Sequence, residues 1–144
     1  MSGKFVVAYD GSEAAERALD FAVAKAKSQG GSILVAHILE WSPYSFLTPT
    51  ELEERHKRRG EELARAEKAL MGPVTARLAD SGVKVETVIK YGHIANTLIE
   101  ICNESGADQM FIGRDGETSL GSRIFGSVAM TLAQSTPVPC TIVP

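Results

Sequence analysis

No apolar run in this sequence approaches the ~20 residues that a membrane-spanning helix needs. Cysteine is scarce: Cys102 and Cys140 are the two in the chain, far apart, in no C-x-x-C pair and near no histidine at metal-ligand spacing. That excludes a disulfide framework and a zinc-finger-type site, and both thiols read as small core hydrophobes. His37, His56 and His93 are scattered and form no ligand set, so each is expected in a core or surface role. Charge of one sign is also lacking, since the formal net charge is −3. Nothing there favours nucleic acid or an anionic membrane as a partner. The turn after the first apolar run lacks G-x-G-x-x-G, and no GxxxxGK[ST] occurs, which counts against a dinucleotide fold and a P-loop. The opening MSGKFVVAYDGS has too short an apolar stretch for a secretory signal, so the cytoplasm is the expected location.

What is present is an ordinary globular composition, 44% hydrophobic and 23% charged over 144 residues, the size of one domain spanning 1–144. Short apolar runs alternate with amphipathic stretches, the mark of strand–helix units on a parallel sheet. Lys4–Tyr9 is a continuous apolar strand suited to burial on both faces. Asp10, Gly11 and Ser12 make a turn in which Ser12 is a good N-cap, followed by a helix to about Gln29. Ala15, Ala18, Leu19, Ala22 and Ala26 line one face of it, and Gly30-Gly31 ends it. A second strand covers Ser32–Ile38. A loop at Leu39–Thr50 carries Trp41, Tyr44 and Phe46, which suit packing, a lid or a partner surface.

A long helical pattern follows over Glu51–Ser81, polar at first and predicted to project or move, with a kink or restart at Gly72-Pro73. The run His56–Arg59 is flanked by glutamates and reads as a solvated helix face. Then come a strand at Val83–Ile89, a helix at Ile94–Glu104 and a strand at Gln109–Ile112. A glycine-rich loop leads to a helix at Ser127–Gln134, and a closing strand spans Val138–Val143. Right-handed crossovers make this a doubly wound α/β sheet, Rossmann-like, with helices on both faces. Ligands bind such sheets at the carboxyl ends of strands where the winding reverses. The turns at Asp10-Gly11-Ser12 and from Gly113 onward are therefore the candidate site.

The second turn reads Gly113-Arg-Asp-Gly116, then nine residues, then Gly126-Ser127. Glycines allow close backbone approach, and a helix N-terminus at Ser127 offers free amides and the positive end of a dipole. On physical grounds this is a phosphate cradle.

The same residues carry a resemblance. G-x2-G-x9-G-S is similar to the ATP-binding signature of universal stress proteins. The strand end Tyr9-Asp10-Gly11-Ser12, the second strand's Ala36-His37-Ile38 and the closing Pro139-Cys-Thr-Ile-Val143 resemble that family too. The resemblance covers the whole chain and implies a five-stranded parallel sheet of order 3-2-1-4-5. It implies that Asp10 contacts the ribose or adenine side of a nucleotide and that backbone groups at Ile38 read the adenine. Gly113, Gly116, Gly126, Ser127 and the amide of Val128 would hold ribose and phosphates. Tyr9, Arg114 and Ala129, beside these, complete the candidate set. A divalent ion, Mg2+, would be bound mainly through phosphate, and ADP or AMP are alternatives to ATP. Asp115 inside the first glycine pair is a departure from the family pattern that would oppose phosphate, and Arg123 would offset it. A homodimer through Pro139–Val143 and an unidentified protein partner are further implications.

The function expected is that of a nucleotide-dependent regulator in a stress response, with weak ATP turnover at most. Rival readings are an adenylating or ATP-pyrophosphatase enzyme, a flavin or dinucleotide carrier, and a protein-interaction module whose loop holds no nucleotide. The turn sequence counts against the first two.

Overall fold

The computed structural model describes residues 3–40, 48–115 and 124–144. Its elements follow the chain as β1 (Lys4–Ala8), α1 (Glu13–Gln29), β2 (Ser32–Glu40) and α2 (Pro49–Ala66). A π-helical turn at Glu67–Met71 leads into α3 (Gly72–Leu78). Then come β3 (Lys84–Gly92), α4 (Ile94–Ser105), β4 (Gln109–Gly113), α5 (Ile124–Ser135) and β5 (Cys140–Val143). The expected helix break falls at Gly72-Pro73. A proline cannot donate to the ladder, and its ring crowds the carbonyl four residues back. The backbone widens in response, and the Gly72 amide bonds to the Glu67 carbonyl five residues earlier.

Among the described residues five strands form one parallel sheet in the order β3-β2-β1-β4-β5. Side chains alternate across it and divide the core into two layers. On one face Phe5, Val7, Ile33, Val35 and Phe111 meet Ala15, Leu19, Ala22 and Ala26 of α1 and Met71, Val74 and Leu78 of the π turn and α3. On the other, Val6, Ala8, Leu34, Ala36, Met110 and Ile112 meet Ala95, Leu98, Ile101 and Cys102 of α4 and Leu132 of α5. The alanines of α1 let it sit close to the sheet. A Cβ on Gly113 would lie only 2.7 to 2.9 Å from the backbone and Cβ of Ala14, so the end of β4 touches the start of α1.

Local signals set the ends. Ser12 caps α1, its Oγ accepting from the Ala15 amide at 3.1 Å, with Glu13 and Glu16 in the first turn. Gly30 closes α1 in the left-handed region at φ 71°. Thr48 and Glu51 form a capping box at the start of α2. The polar part of α2 is exposed, yet anchored at the end of β3. Tyr91 donates to Glu62 at 2.9 Å and to the Arg59 carbonyl at 3.1 Å, and the Arg59 guanidinium stacks over its ring.

Several boundaries differ from expectation: β2 runs on to Glu40, α2 starts at Pro49 and β5 starts at Cys140. β3 runs on to Gly92, because Lys90 and Tyr91 pair in register with Ile38 and Leu39. α5 begins at Ile124, three residues before Ser127, so Ser127 lies inside the helix and is not its cap. Its carbonyl accepts from Thr131 Oγ1 at 3.0 Å, as an interior position does.

Candidate functional site

The strand order sets β1 and β4 side by side, and it is there that the winding reverses. From β1 the chain moves outward to β2 and β3, then crosses to β4 and β5 on the other side. The turns that leave β1 and β4 therefore emerge together at the carboxyl edge.

The turn after β1 is built from its own side chains. The Tyr9 amide donates to the Ala36 carbonyl at 2.8 Å and extends the ladder one residue. Asp10 accepts from the Ser12 amide at 2.9 Å, and Gly11 takes φ 82°, which a side chain would resist. Asp10 thus has a structural task in shaping the turn, beside whatever else its carboxylate meets. His37 Nδ1 lies 2.8 Å from the Tyr9 carbonyl. A carbonyl can only accept, so Nδ1 carries the proton and the ring braces the turn from β2.

Tyr9 faces away from this crevice. It belongs to the α1–α3 layer, and its hydroxyl donates to Glu16, whose other oxygen takes Arg77 at 2.8 Å. Arg77 also holds Asp20 at 3.0 Å. Burial first, then the Glu16 carboxylate, push the Tyr9 hydroxyl well above the ordinary tyrosine range, so it stays a neutral donor. Only the backbone of Tyr9 reaches the carboxyl edge. Glu16, Arg77 and His37 hold this turn in place. Arg77 lies 61 residues from Glu16, and nothing in the sequence links the two.

Ile38, Val128 and Ala129 are buried together in the α4–α5 layer. The β1–β2 register ends at Ala8 and Ala36, whereas β2 continues to Glu40 and pairs with β3. The backbone at Ile38 therefore runs past the end of β1, with its β1-side edge along the crevice. Val128 and Ala129 support α5 from below. As the fifth residue of α5, Val128 has an amide within the helical ladder, while the amides with no acceptor inside the helix are those of its first turn, from residue 124.

Across the crevice, Gly113 ends β4, and the Arg114 amide donates to the Val143 carbonyl at 2.7 Å. The close approach of Ala14 gives Gly113 a packing reason to be glycine, quite apart from any ligand. The Arg114 guanidinium lies 3.5 Å from the Asp115 carboxylate, so the acid has a cation beside it. Gly116, Arg123 and the aromatics Trp41, Tyr44 and Phe46 lie outside the described residues, as does the side-chain environment of Gly126. The described part is thus a crevice between two adjacent turns, with backbone edges and one helix N-terminus to offer. Such a set suits a ligand carrying both a planar hydrogen-bonding base and an anion.

Comparison with known proteins agrees with this architecture. The sequence model described as the universal stress protein family matches residues 1–144. The universal stress protein encoded in the QAH/OAS sulfhydrylase 3' region of Thermus aquaticus is 32% identical over 139 residues, 96% of each chain. The solved structure of UspA from Lactobacillus plantarum superposes with a TM-score of 0.82 at 22% identity, covering 99% of this chain and 97% of that one. A universal stress protein from Archaeoglobus fulgidus, solved in complex with dAMP, gives 0.66 at 20% identity, covering 100% and 98%.

Proposed function

The chain belongs to the universal stress protein family, and from that premise we propose that it is a regulatory module that binds an adenine nucleotide, ATP with Mg2+ foremost. The observation that carries this reading is the meeting of the β1 and β4 turns at the winding reversal, flanked by the overrunning backbone of β2. The dAMP bound by the Archaeoglobus relative supports an adenine ring and a phosphate as the groups recognised.

In this reading the backbone at Ile38 reads the base and the carboxylate of Asp10 takes the ribose. The phosphates lie toward Gly113, Arg114, Gly116, Gly126 and Ser127, where the first turn of α5 supplies amides and a positive dipole end. Arg114 balances Asp115 there, which removes a like-charge objection to phosphate. Tyr9, Val128 and Ala129 act through the backbone or by packing. Mg2+ would neutralise phosphate charge and is held mainly by the phosphates themselves.

Regulation follows if the loaded and empty forms present different surfaces to a protein partner, since a ligand shifts such an equilibrium only by its differential affinity. The edge strand β5 adds a second element of the proposal. Among the described residues its backbone pairs on one side only and Ile142 is exposed, so a homodimer pairing through Pro139–Val143 would cover it. A light-scattering mass of one chain, 15.4 kDa, at micromolar concentration would refute the dimer.

The test of binding is a thermal-shift panel with ATP, ADP, AMP, NAD and FMN, each with Mg2+. Ligand at 100 times its dissociation constant adds about 2.7 kcal/mol, several degrees for a domain of this size. A shift confined to adenine mononucleotides is expected. No shift with any of them would replace the nucleotide reading with that of a protein-interaction module.

A further inference from the structure

At the opposite ends of β4 and β5, away from the crevice, two sulfur atoms meet and a third stands on the neighbouring strand. Cys102 Sγ, from α4, lies 3.9 Å from Met110 Sδ on β4. Met110 and Cys140 are register partners on neighbouring parallel strands, so they stand side by side on the same face of the sheet. Cys140 packs against the core layer that contains both other residues. Cys102 and Met110 are 1% and 0% exposed, while Cys140 is half-buried.

We propose that Cys102, Met110 and Cys140 form a binding site for a soft monovalent cation, of which Cu(I) is the representative. Two thiolates and a thioether are the donors that select such an ion. The spacing agrees as well. Metal–sulfur bonds of about 2.3 Å in a trigonal arrangement put sulfur atoms about 4 Å apart, close to the observed contact. Zinc is disfavoured, because it wants four ligands without thioether. Among the described residues no three His, Cys, Asp or Glu are placed to hold a metal.

The protons balance simply: one Cu(I) and two thiols give one Cu(I) bis-thiolate and two protons. Burial pushes the Cys102 thiol up to about 11, with the neighbouring Cys140 adding to the rise, and burial raises Cys140 as well. Both are protonated at neutral pH, so the ion must displace two protons. Affinity then rises about 100-fold per pH unit between pH 6 and 8.

The test uses the full chain, reduced and under anaerobic conditions, titrated with Cu(I) against a chromophoric copper(I) chelator. Expected are one Cu(I) per chain, an ultraviolet thiolate-to-copper band and the pH dependence above. Cys140→Ser and Cys102→Ala should each weaken binding at least about 100-fold. Met110→Leu, which keeps the volume, should weaken it at least about tenfold with an unchanged circular-dichroism spectrum. If the Cys102 variant fails to fold, the Cys140 and Met110 variants still decide. Parental affinity in either of them, or no Cu(I) taken from the chelator by the parent, would overturn the site.

Discussion

Gly113→Ala should destabilise the fold, and Gly60→Ala should stabilise it, although both add one methyl group. At Gly113 the new Cβ meets the Ala14 carbonyl carbon at 2.7 Å, its Cβ at 2.8 Å and its oxygen at 2.9 Å. Ordinary contacts are 3.4 to 4 Å, so a displacement of more than half an ångström is needed. Two of the three obstructing atoms are backbone at the start of α1 and the third is a Cβ fixed to it, and that helix is held by a buried row of alanines. Overpacking of this kind costs typically 1–3 kcal/mol, and a rigid neighbour places the cost toward the upper end. At roughly 3 °C per kcal/mol for a chain of this length, Tm should fall by about 6–9 °C. Gly60 lies within α2 with nothing within 4 Å of its Cβ position. Alanine there gains about 0.5–1 kcal/mol of helix propensity, a rise of about 2–3 °C. Urea and thermal unfolding of the two variants and the parent measure both signs. A Gly113→Ala variant as stable as the parent would refute the close contact of β4 with α1, and with it the packing account of this glycine.

The core and the network below the crevice give further predictions. Leu98→Ala removes a side chain only 1% exposed between α4 and the sheet, and should cost about 2–5 kcal/mol in urea unfolding. Arg77→Ala breaks two ion pairs whose partners are roughly half exposed, and should cost under about 1 kcal/mol, less still in high salt. The tyrosines predict the alkaline limb. Their hydroxyls keep protons in the folded state at pH values where the unfolded chain releases them, from about pH 10. Tyr91 is pushed up to about 12 and Tyr9 lies higher. Cys102 and Cys140, also raised by burial, start the decline in stability at about pH 9; the tyrosines steepen it above about pH 10, and Tyr9→Phe should decline less steeply there. An equal slope in Tyr9→Phe, measured by urea midpoints at pH 9, 10 and 11, would refute the buried hydrogen bond to Glu16.

How much of this was visible in the sequence depends on the range of the interaction concerned. The apolar runs of β1, β2 and β4 and the alanine face of α1 speak for themselves, because burial on both faces of a parallel sheet leaves no polar alternation to confuse them. The start of α5 did not. Ile124-Phe125-Gly126 follows a glycine-rich stretch of sequence, and a helical glycine costs about 1 kcal/mol. Burial of Val128, Ala129 and Leu132 one turn later offsets that cost and lets the helix begin earlier. Tyr9 was within reach: it shares the parity of Phe5 and Val7, and so must face α1 and turn its side chain from the crevice. The contacts that fix the crevice are of another kind. Gly113 against Ala14, and Arg77 against Glu16, join residues whose spacing carries no periodic signal. The same holds for Cys102, Met110 and Cys140, one on a helix and two on strands that only the β4–β5 register brings abreast. Motif reading thus finds groups that a local turn assembles, such as Asp10 with Ser12. Groups assembled by sheet order and register have to be found in three dimensions, and the sulfur cluster is the one here that points to a ligand of its own.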